Sequence, residues 1–162
     1  MLVSNTSTLV LLAKVKCLEI FVQIAPSIEI PEQVKQESIF KYNSYDAWLI
    51  QKLITEEKIK VSKVDKNKVT GIISQFRLDE GEAAAYVLFN HQKHKAILTD
   101  DGELIKLCKL QEIPFLCAMA IIIRLYELKK ISKEETLNKL KELHTIGRYS
   151  KQIYEHFIKE VK

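Results

Sequence analysis

The strongest constraint on this chain is a repeated local pattern, in which a short apolar run stops abruptly and apolar positions then recur every three or four residues. The fullest instance is Ala96-Ile-Leu-Thr-Asp-Asp-Gly-Glu-Leu-Ile-Lys-Leu-Cys108. Ala96 to Leu98 ends at Thr99, and Leu104, Leu107, Cys108 and Leu110 follow at helical spacing, so a buried strand passes straight into a helix. Leu2-Val3, the capping-rich run Ser4 to Ser7 and the apolar stretch Leu9 to Val15 repeat the arrangement at the amino end. Strands alternating with helices imply a parallel sheet covered on both faces. Ligands bind at the carboxyl edge of such sheets. Asn5, after the first strand, and Asp100 and Asp101, after the later one, are therefore expected on that edge.

The remaining segments extend the pattern. A helix is expected over Cys17 to Gln23, a strand over Ile28 to Ile30, and a helix from Pro31, which suits a first helical position. Tyr45 to Leu53, with the only Trp, reads as an amphipathic helix, and Ile59 to Val64 as a strand whose lysines suit a sheet edge. Asn67 to Phe76 is a helix; Leu78 to Phe89 begins another, apolar nearly all round. Ile113 to Leu116 is a strand and Ala118 to Leu128 a helix. Ser132 and Glu135 form a capping box for a helix that Gly147 breaks, and about Ser150 to Val161 is a last amphipathic helix.

With 162 residues the chain suits one domain, residues 1–128, with helices of 129–162 packed on it. Residues 129–162 hold nine Lys or Arg against five Glu, while the first 128 balance at 16 each, so the tail carries the whole net charge of +4. That excess is compatible with a nucleic-acid backbone and equally with a solvated helix face. Cys17, Cys108 and Cys117 are widely spaced in apolar surroundings, which suits free thiols in a cytoplasmic protein. No apolar run approaches the roughly 20 residues that span a bilayer, so no membrane partner is expected.

Several chemistries are excluded by their missing signatures: there is no phosphate-binding G-x-x-x-x-G-K-S/T loop, no G-x-G-x-x-G turn and no G-x-S-x-G elbow. A receiver domain would carry its acid pair after the first strand, where this chain has Asn5. His91 and His94 share a helix face without a third ligand and are expected on the surface. The acids are the remaining chemistry. Asp100 with Glu103, and Asp79 with Glu82, each fit a D-x-x-E helix cap; Asn5 is a good N-cap, and Glu37 suits a solvated surface. The same carboxylates, brought together, suit a hard divalent cation.

Their order decides between these readings. Val3-Ser-Asn-Thr-Ser-Thr-Leu9, Ile30-Pro-Glu-Gln-Val-Lys-Gln-Glu37, Leu78-Asp-Glu-Gly-Glu-Ala-Ala-Ala85 and Leu98-Thr-Asp-Asp101 together resemble the PIN-domain ribonucleases, including VapC-like toxins, over residues 2 to about 127. The third segment is similar to a subgroup of predicted nucleic-acid-binding PIN proteins. The resemblance implies a three-layer α/β/α sandwich around a parallel sheet, and an endoribonuclease, a toxin of a toxin–antitoxin pair, using Mg²⁺ or Mn²⁺. Carried over by position, Asn5, Glu37, Glu82 and Asp101 are the catalytic set, with Glu37, Glu82, Asp100 and Asp101 as metal ligands. Thr6, Ser7, Asp79 and Thr99 support them. RNA, an antitoxin protein and a second copy of the chain are the implied partners.

One position departs from the family pattern. Asn5 stands where the family has Asp, and an amide keeps the shape while removing a unit of negative charge, which weakens the attraction for a divalent cation. The alternative is then a non-catalytic PIN-like module that binds RNA or an antitoxin. Either way Asn5, Glu37, Glu82 and Asp101 are expected in one pocket at the carboxyl edge of the sheet.

Overall fold

The computed structural model describes residues 1–41, 44–147 and 149–162, and of Ser44 the backbone alone. Arg148, one of the basic residues of the tail, lies outside the described residues. Five parallel strands, β1 (Leu2–Ser4), β2 (Ile28–Pro31), β3 (Ile59–Ser62), β4 (Ala96–Leu98) and β5 (Phe115–Leu116), form one sheet in the order β3-β2-β1-β4-β5. Between them run α1 (Thr6–Lys14), α2 (Leu18–Ile24), α3 (Glu32–Phe40), α4 (Ser44–Thr55), α5 (Lys66–Gln75), α6 (Glu80–Leu88) and α7 (Gly102–Leu110). α8 (Ala118–Glu127), α9 (Lys133–Ile146) and α10 (Lys151–Lys159) follow.

Side chains alternate across a strand, and here each alternation meets a helical layer. Leu2, Ile28, Ile30, Ile59, Ala96 and Leu98 enter the larger core, with α1, α4, α8 and α9, while Val3 and Ile97 enter a smaller one with α6 and α7. The result is the expected α/β/α sandwich. Strands β1 to β3 step outward in one direction, and β4 then pairs on the other side of β1, so the winding reverses between β1 and β4. Connections diverge there and leave a crevice at the carboxyl ends. Ser4 pairs with Leu98 in register, and the next residues, Asn5 and Thr99, are therefore neighbours at its floor.

Element limits differ from the sequence reading where pairing takes over from propensity. Pro31 ends β2 opposite Ser62 and caps α3, which starts at Glu32 rather than at the proline. Its extended backbone suits both roles, and the ladder with β3 selects the strand. β3 does lie at a sheet edge, but it ends at Ser62, two residues early. Only Phe115 and Leu116 of the expected 113–116 strand pair with β4.

His94 departs further from expectation. α6 ends at Leu88, so neither His91 nor His94 is helical; His91 is exposed, but His94 is only 4% exposed. Its Nδ1 accepts the Asn90 N–H, leaving the ring proton on Nε2, which lies 2.8 Å from the buried Glu29 carboxylate. Glu29 also accepts from the Ser62 hydroxyl at 2.5 Å and pairs with Lys93 at 3.0 Å. The acid partner comes from β2, far away in sequence, which is why spacing alone missed it.

The C-terminal helices pack on the larger core through their apolar stripes. α9 begins with the Ser132–Glu135 capping box and ends before Gly147; α10 lays Tyr154, Phe157 and Ile158, and the residues after it Val161, half-buried, on the larger core. His144 stacks on Tyr154 with ring centroids 4.4 Å apart, and the Tyr126 hydroxyl donates to the Lys162 carbonyl. Deleting residues 149–162 should uncover this surface and cost about 3 kcal/mol. At roughly 2–4 °C per kcal/mol for a chain of this size, calorimetry should show Tm falling by about 6–12 °C. An unchanged Tm would remove the packing role. Among the described residues no helix is long and apolar enough to cross a membrane.

Candidate active site at the carboxyl edge of the sheet

Four short structures bring the acids together. Asn5 takes the N-cap position of α1 directly after β1 without a side-chain cap bond, Asp101 caps α7 after β4, Asp79 caps α6, and Glu37 projects from the second turn of α3. Asn5, Glu37, Glu82 and Asp101 line one cavity of about 370 Å³, with Asp79 and Asp100 beside them. Thr6 and Ser7 share the wall. These residues share one cavity, and Asp79–Glu82 is a complete capping box as well, with the Glu82 N–H donating to Asp79 at 2.8 Å. Capping and clustering turn out to be compatible uses of the same residues.

The hydrogen bonds distinguish acids that are engaged from acids that face the cavity. Asn5, 2% exposed, donates from Nδ2 to Thr99 Oγ1 at 2.9 Å and accepts from the Ser7 hydroxyl at 3.0 Å. Thr99 Oγ1 also accepts the Asp101 N–H, and Ser7 Oγ accepts the Asp100 N–H. Residue 5 and both aspartates are thus held in one lattice of hydroxyls. Asp100 is fully occupied: Thr8 donates to it at 2.6 Å, the Ala118 N–H at 3.0 Å, and the Tyr149 hydroxyl completes it. It acts as the missing side-chain cap of α8, whose own N-cap Cys117 makes none. The cap of α7 is Asp101, which accepts the Leu104 N–H, and not Asp100 as the D-x-x-E spacing with Glu103 suggests.

Burial raises the acids that face inward. It pushes the Glu82 carboxyl up to about 8, with the charges of Asp79 and Asp101 adding to it against the Asp79 N–H hydrogen bond. Glu37 is raised by burial and then by Asp79, with Thr6 and Lys41 opposing. Asp100 rises to about 6 by burial, opposed by Thr8 and the Ala118 N–H. Among the described residues, Glu37, Glu82 and Asp101 have no ion-pair partner within 4.0 Å, and no three acidic, His or Cys side chains are grouped to hold an ion as they stand. Burial thus favours the protonated forms of Glu37, Glu82 and Asp100.

The family model DUF3368, described as a PIN domain, matches residues 1–162. The chain belongs to the PIN-domain family. No curated protein matches it. The match covers the C-terminal helices as well as the sheet, and it assigns this PIN domain a nuclease-type fold from a family that generally uses divalent metals.

Three features of this PIN domain escaped the sequence. Lys14 and Lys41 lie on the cavity wall, from α1 and the end of α3. Tyr149 reaches Asp100 from the tail. Gly81 is the third: a Cβ built there would stand 2.9 Å from Glu37 Oε2, so the bare backbone of α6 makes room for a carboxylate from α3. Motif spacing shows a glycine in a helix, and only the meeting of α3 and α6 shows its use. Gly81→Ala should leave stability within about 1 kcal/mol of the parent or above it, because Ala favours helix. It should nevertheless weaken Mn²⁺ binding several-fold by displacing Glu37; equal affinity by calorimetry would discard the idea.

Proton linkage gives a second test. A carboxyl raised from 4.5 to about 8 stabilises the fold fully below 4.5, and that contribution is lost as pH rises through 8. In EDTA, Tm should therefore fall by a few degrees from pH 5 to pH 8.5. Glu82→Gln, which cannot ionise, should flatten that slope, and an unaltered slope would locate the linkage elsewhere.

Proposed function

We propose that this protein is a divalent-metal-dependent endoribonuclease of the PIN type, a toxin of a toxin–antitoxin pair, whose chemistry is restrained by Asn5. The observation that supports it is the convergence of Asn5, Glu37, Glu82 and Asp101 in one cavity at the point where the sheet winding reverses. The donor set fits Mg²⁺ or Mn²⁺, which take oxygen ligands. Glu82 and Asp101 each commit one oxygen, to the Asp79 and Leu104 N–H groups. Thr6 adds a buried hydroxyl without a hydrogen-bond partner among the described residues.

In this reading Glu37, Glu82 and Asp101 hold the ion, and Asp100 braces α8 against the site. A bound ion supplies a water activated as nucleophile and charge to offset the phosphoryl transition state. Ser7 and Thr99 fix the side chain at position 5, and Asp79 fixes Glu82. Lys14 and Lys41 flank the opening and draw the RNA backbone to an otherwise negative surface. Three unpaired cysteines favour the cytosol, and a homodimer and a protein antitoxin complete the proposal.

One observation favours the non-catalytic alternative: both polar atoms of the Asn5 amide are satisfied by Thr99 and Ser7, so the site is stable as an amide-containing pocket. Single-turnover cleavage of a mixed RNA in Mn²⁺ separates the two. The nuclease reading expects slow or no cleavage by the protein itself and rapid cleavage by Asn5→Asp. Inactivity of both, without a gain in Mn²⁺ binding, leaves the binding module.

A further inference from the structure

A second hollow opens beside the acid-lined cavity, running along α3 and facing the first turn of α6. Its volume is about 330 Å³, and Gln33, Gln36, Phe40 and Lys41 face Glu80 and Gly81 across it. Glu37 and Lys41 border both hollows, which places them side by side. Phe40 stands at the rim, 85% exposed, the most exposed large apolar side chain among the described residues. It is also the only apolar side chain among the described lining residues of this hollow.

That isolation bears on the occupant. An apolar peptide segment would meet one ring and otherwise amides and charges, which is a poor match for its side chains. A flat polar ring system matches better, because a nucleobase presents a π-face for stacking and hydrogen-bonding edges. Gln33 has an unmet need: its Oε1 is buried with no hydrogen-bond partner among the described residues, and a turn of its amide toward the hollow would let it accept an N–H from a base. Lys41, placed between the two hollows, carries the positive charge that a linking phosphate requires.

We propose that this hollow is a nucleobase subsite for single-stranded RNA: the base next to the phosphate entering the acid cavity stacks on Phe40, its edge meets Gln33 and Gln36, and Lys41 pairs with the intervening phosphate. The assignment rests on the reading of the acid cavity as an RNA site, but it does not require that the RNA be cut. Paired bases cannot lay a face on a side-chain ring, so the subsite selects unpaired RNA.

The test is fluorescence anisotropy with a 5′-labelled eight-nucleotide single-stranded RNA in Ca²⁺, with gels confirming that the RNA stays intact. Phe40→Ala should bind about tenfold more weakly, within the range expected for one base–aromatic stack, and Phe40→Trp should restore affinity. Lys41→Gln should weaken binding evenly across sequences and reduce the salt slope by about one. A 2-aminopurine placed along the strand should be quenched at one position by the parent protein and not by Phe40→Ala. Unchanged affinity and quenching in a folded Phe40→Ala protein would overturn the subsite, as would an absence of RNA binding by the parent. A variant that altered only self-association or peptide binding would also overturn it, in favour of a protein interface. Phe40-dependent RNA binding without cleavage by Asn5→Asp would keep the subsite while the nuclease reading fell. Cleavage by Asn5→Asp with KM unaffected by Phe40→Ala would do the reverse.

Discussion

Asn5→Asp is expected to tighten Mn²⁺ binding by at least about tenfold and to produce RNA cleavage that EDTA abolishes. The hydrogen-bond lattice can accept the change without rearrangement. Ser7 already donates to one side of residue 5; on the other side Thr99 only accepts, so its hydroxyl proton can turn to donate to a carboxylate oxygen. What changes is charge. A unit charge about 4 Å from a divalent ion is worth roughly 2–8 kcal/mol between effective dielectrics of about 80 and 20, and part of this is offset by burying a further acid beside Glu82 and Asp101. A net gain of at least about 1.4 kcal/mol gives the tenfold factor.

The same argument sets a cost in the absence of metal. With position 5 only 2% exposed, the added carboxylate should lower stability by about 1–3 kcal/mol in EDTA and recover it in Mn²⁺. Adding Glu82→Gln to Asn5→Asp should abolish the cleavage again, because the ion then lacks a charge once more. Calorimetric titration and thermal melts with and without Mn²⁺ read all three effects. Asn5→Asp that bound no more Mn²⁺ than the parent would refute the view that residue 5 is a muted ligand.

The largest stability effect is expected away from the site, at Glu29. Burial alone would raise its carboxyl, but hydrogen bonds from Ser62, His94 and Lys93, with the Lys93 charge, outweigh burial and hold it at about 2. A carboxyl lowered from 4.5 to about 2 contributes stability that is fully present above 4.5 and is lost as pH falls toward 2, up to about 3 kcal/mol. Glu29→Ala removes that contribution and leaves His94 Nε2, Ser62 and Lys93 facing a buried gap, so a loss of about 3–5 kcal/mol is expected. Tm should drop by about 6–20 °C, and the variant should lose the parent's stability decline between pH 4.5 and pH 2. A Glu29→Ala protein melting within 2 °C of the parent would show that this network stabilises nothing. Glu29 and Glu82 thus act in opposite directions: acid weakens the first contribution and base the second, which puts the stability maximum of the metal-free protein near pH 5.

Local sequence determined much of the fold, because strands and helices that bury one face or both write their period directly into the chain. The apolar runs at Leu2, Ile28, Ile59 and Ala96, the capping pairs Asp79–Glu82 and Ser132–Glu135, and Gly147 as a helix end all appear where spacing put them. The site was legible for a related reason: in a parallel sheet every residue following a strand reaches the same edge, so Asn5 and Asp101 were placed by topology alone. Glu37 and Glu82 joined them only through the order of the family's motifs, since nothing in a helix's own period says which of its exposed acids another helix will face.

Tertiary structure alone decided the rest. Asp100 and Asp101 are adjacent and chemically identical, yet the turn after β4 points one at the N-terminus of α8 and Tyr149 and leaves the other capping α7 with an oxygen toward the cavity. Gly81 became a space for Glu37, and His94 a buried partner of Glu29, through contacts between elements distant in the chain. Sequence periodicity reports what each element buries, whereas the partners of a buried polar group depend on which elements pack together, and that is set only when the whole sheet has assembled.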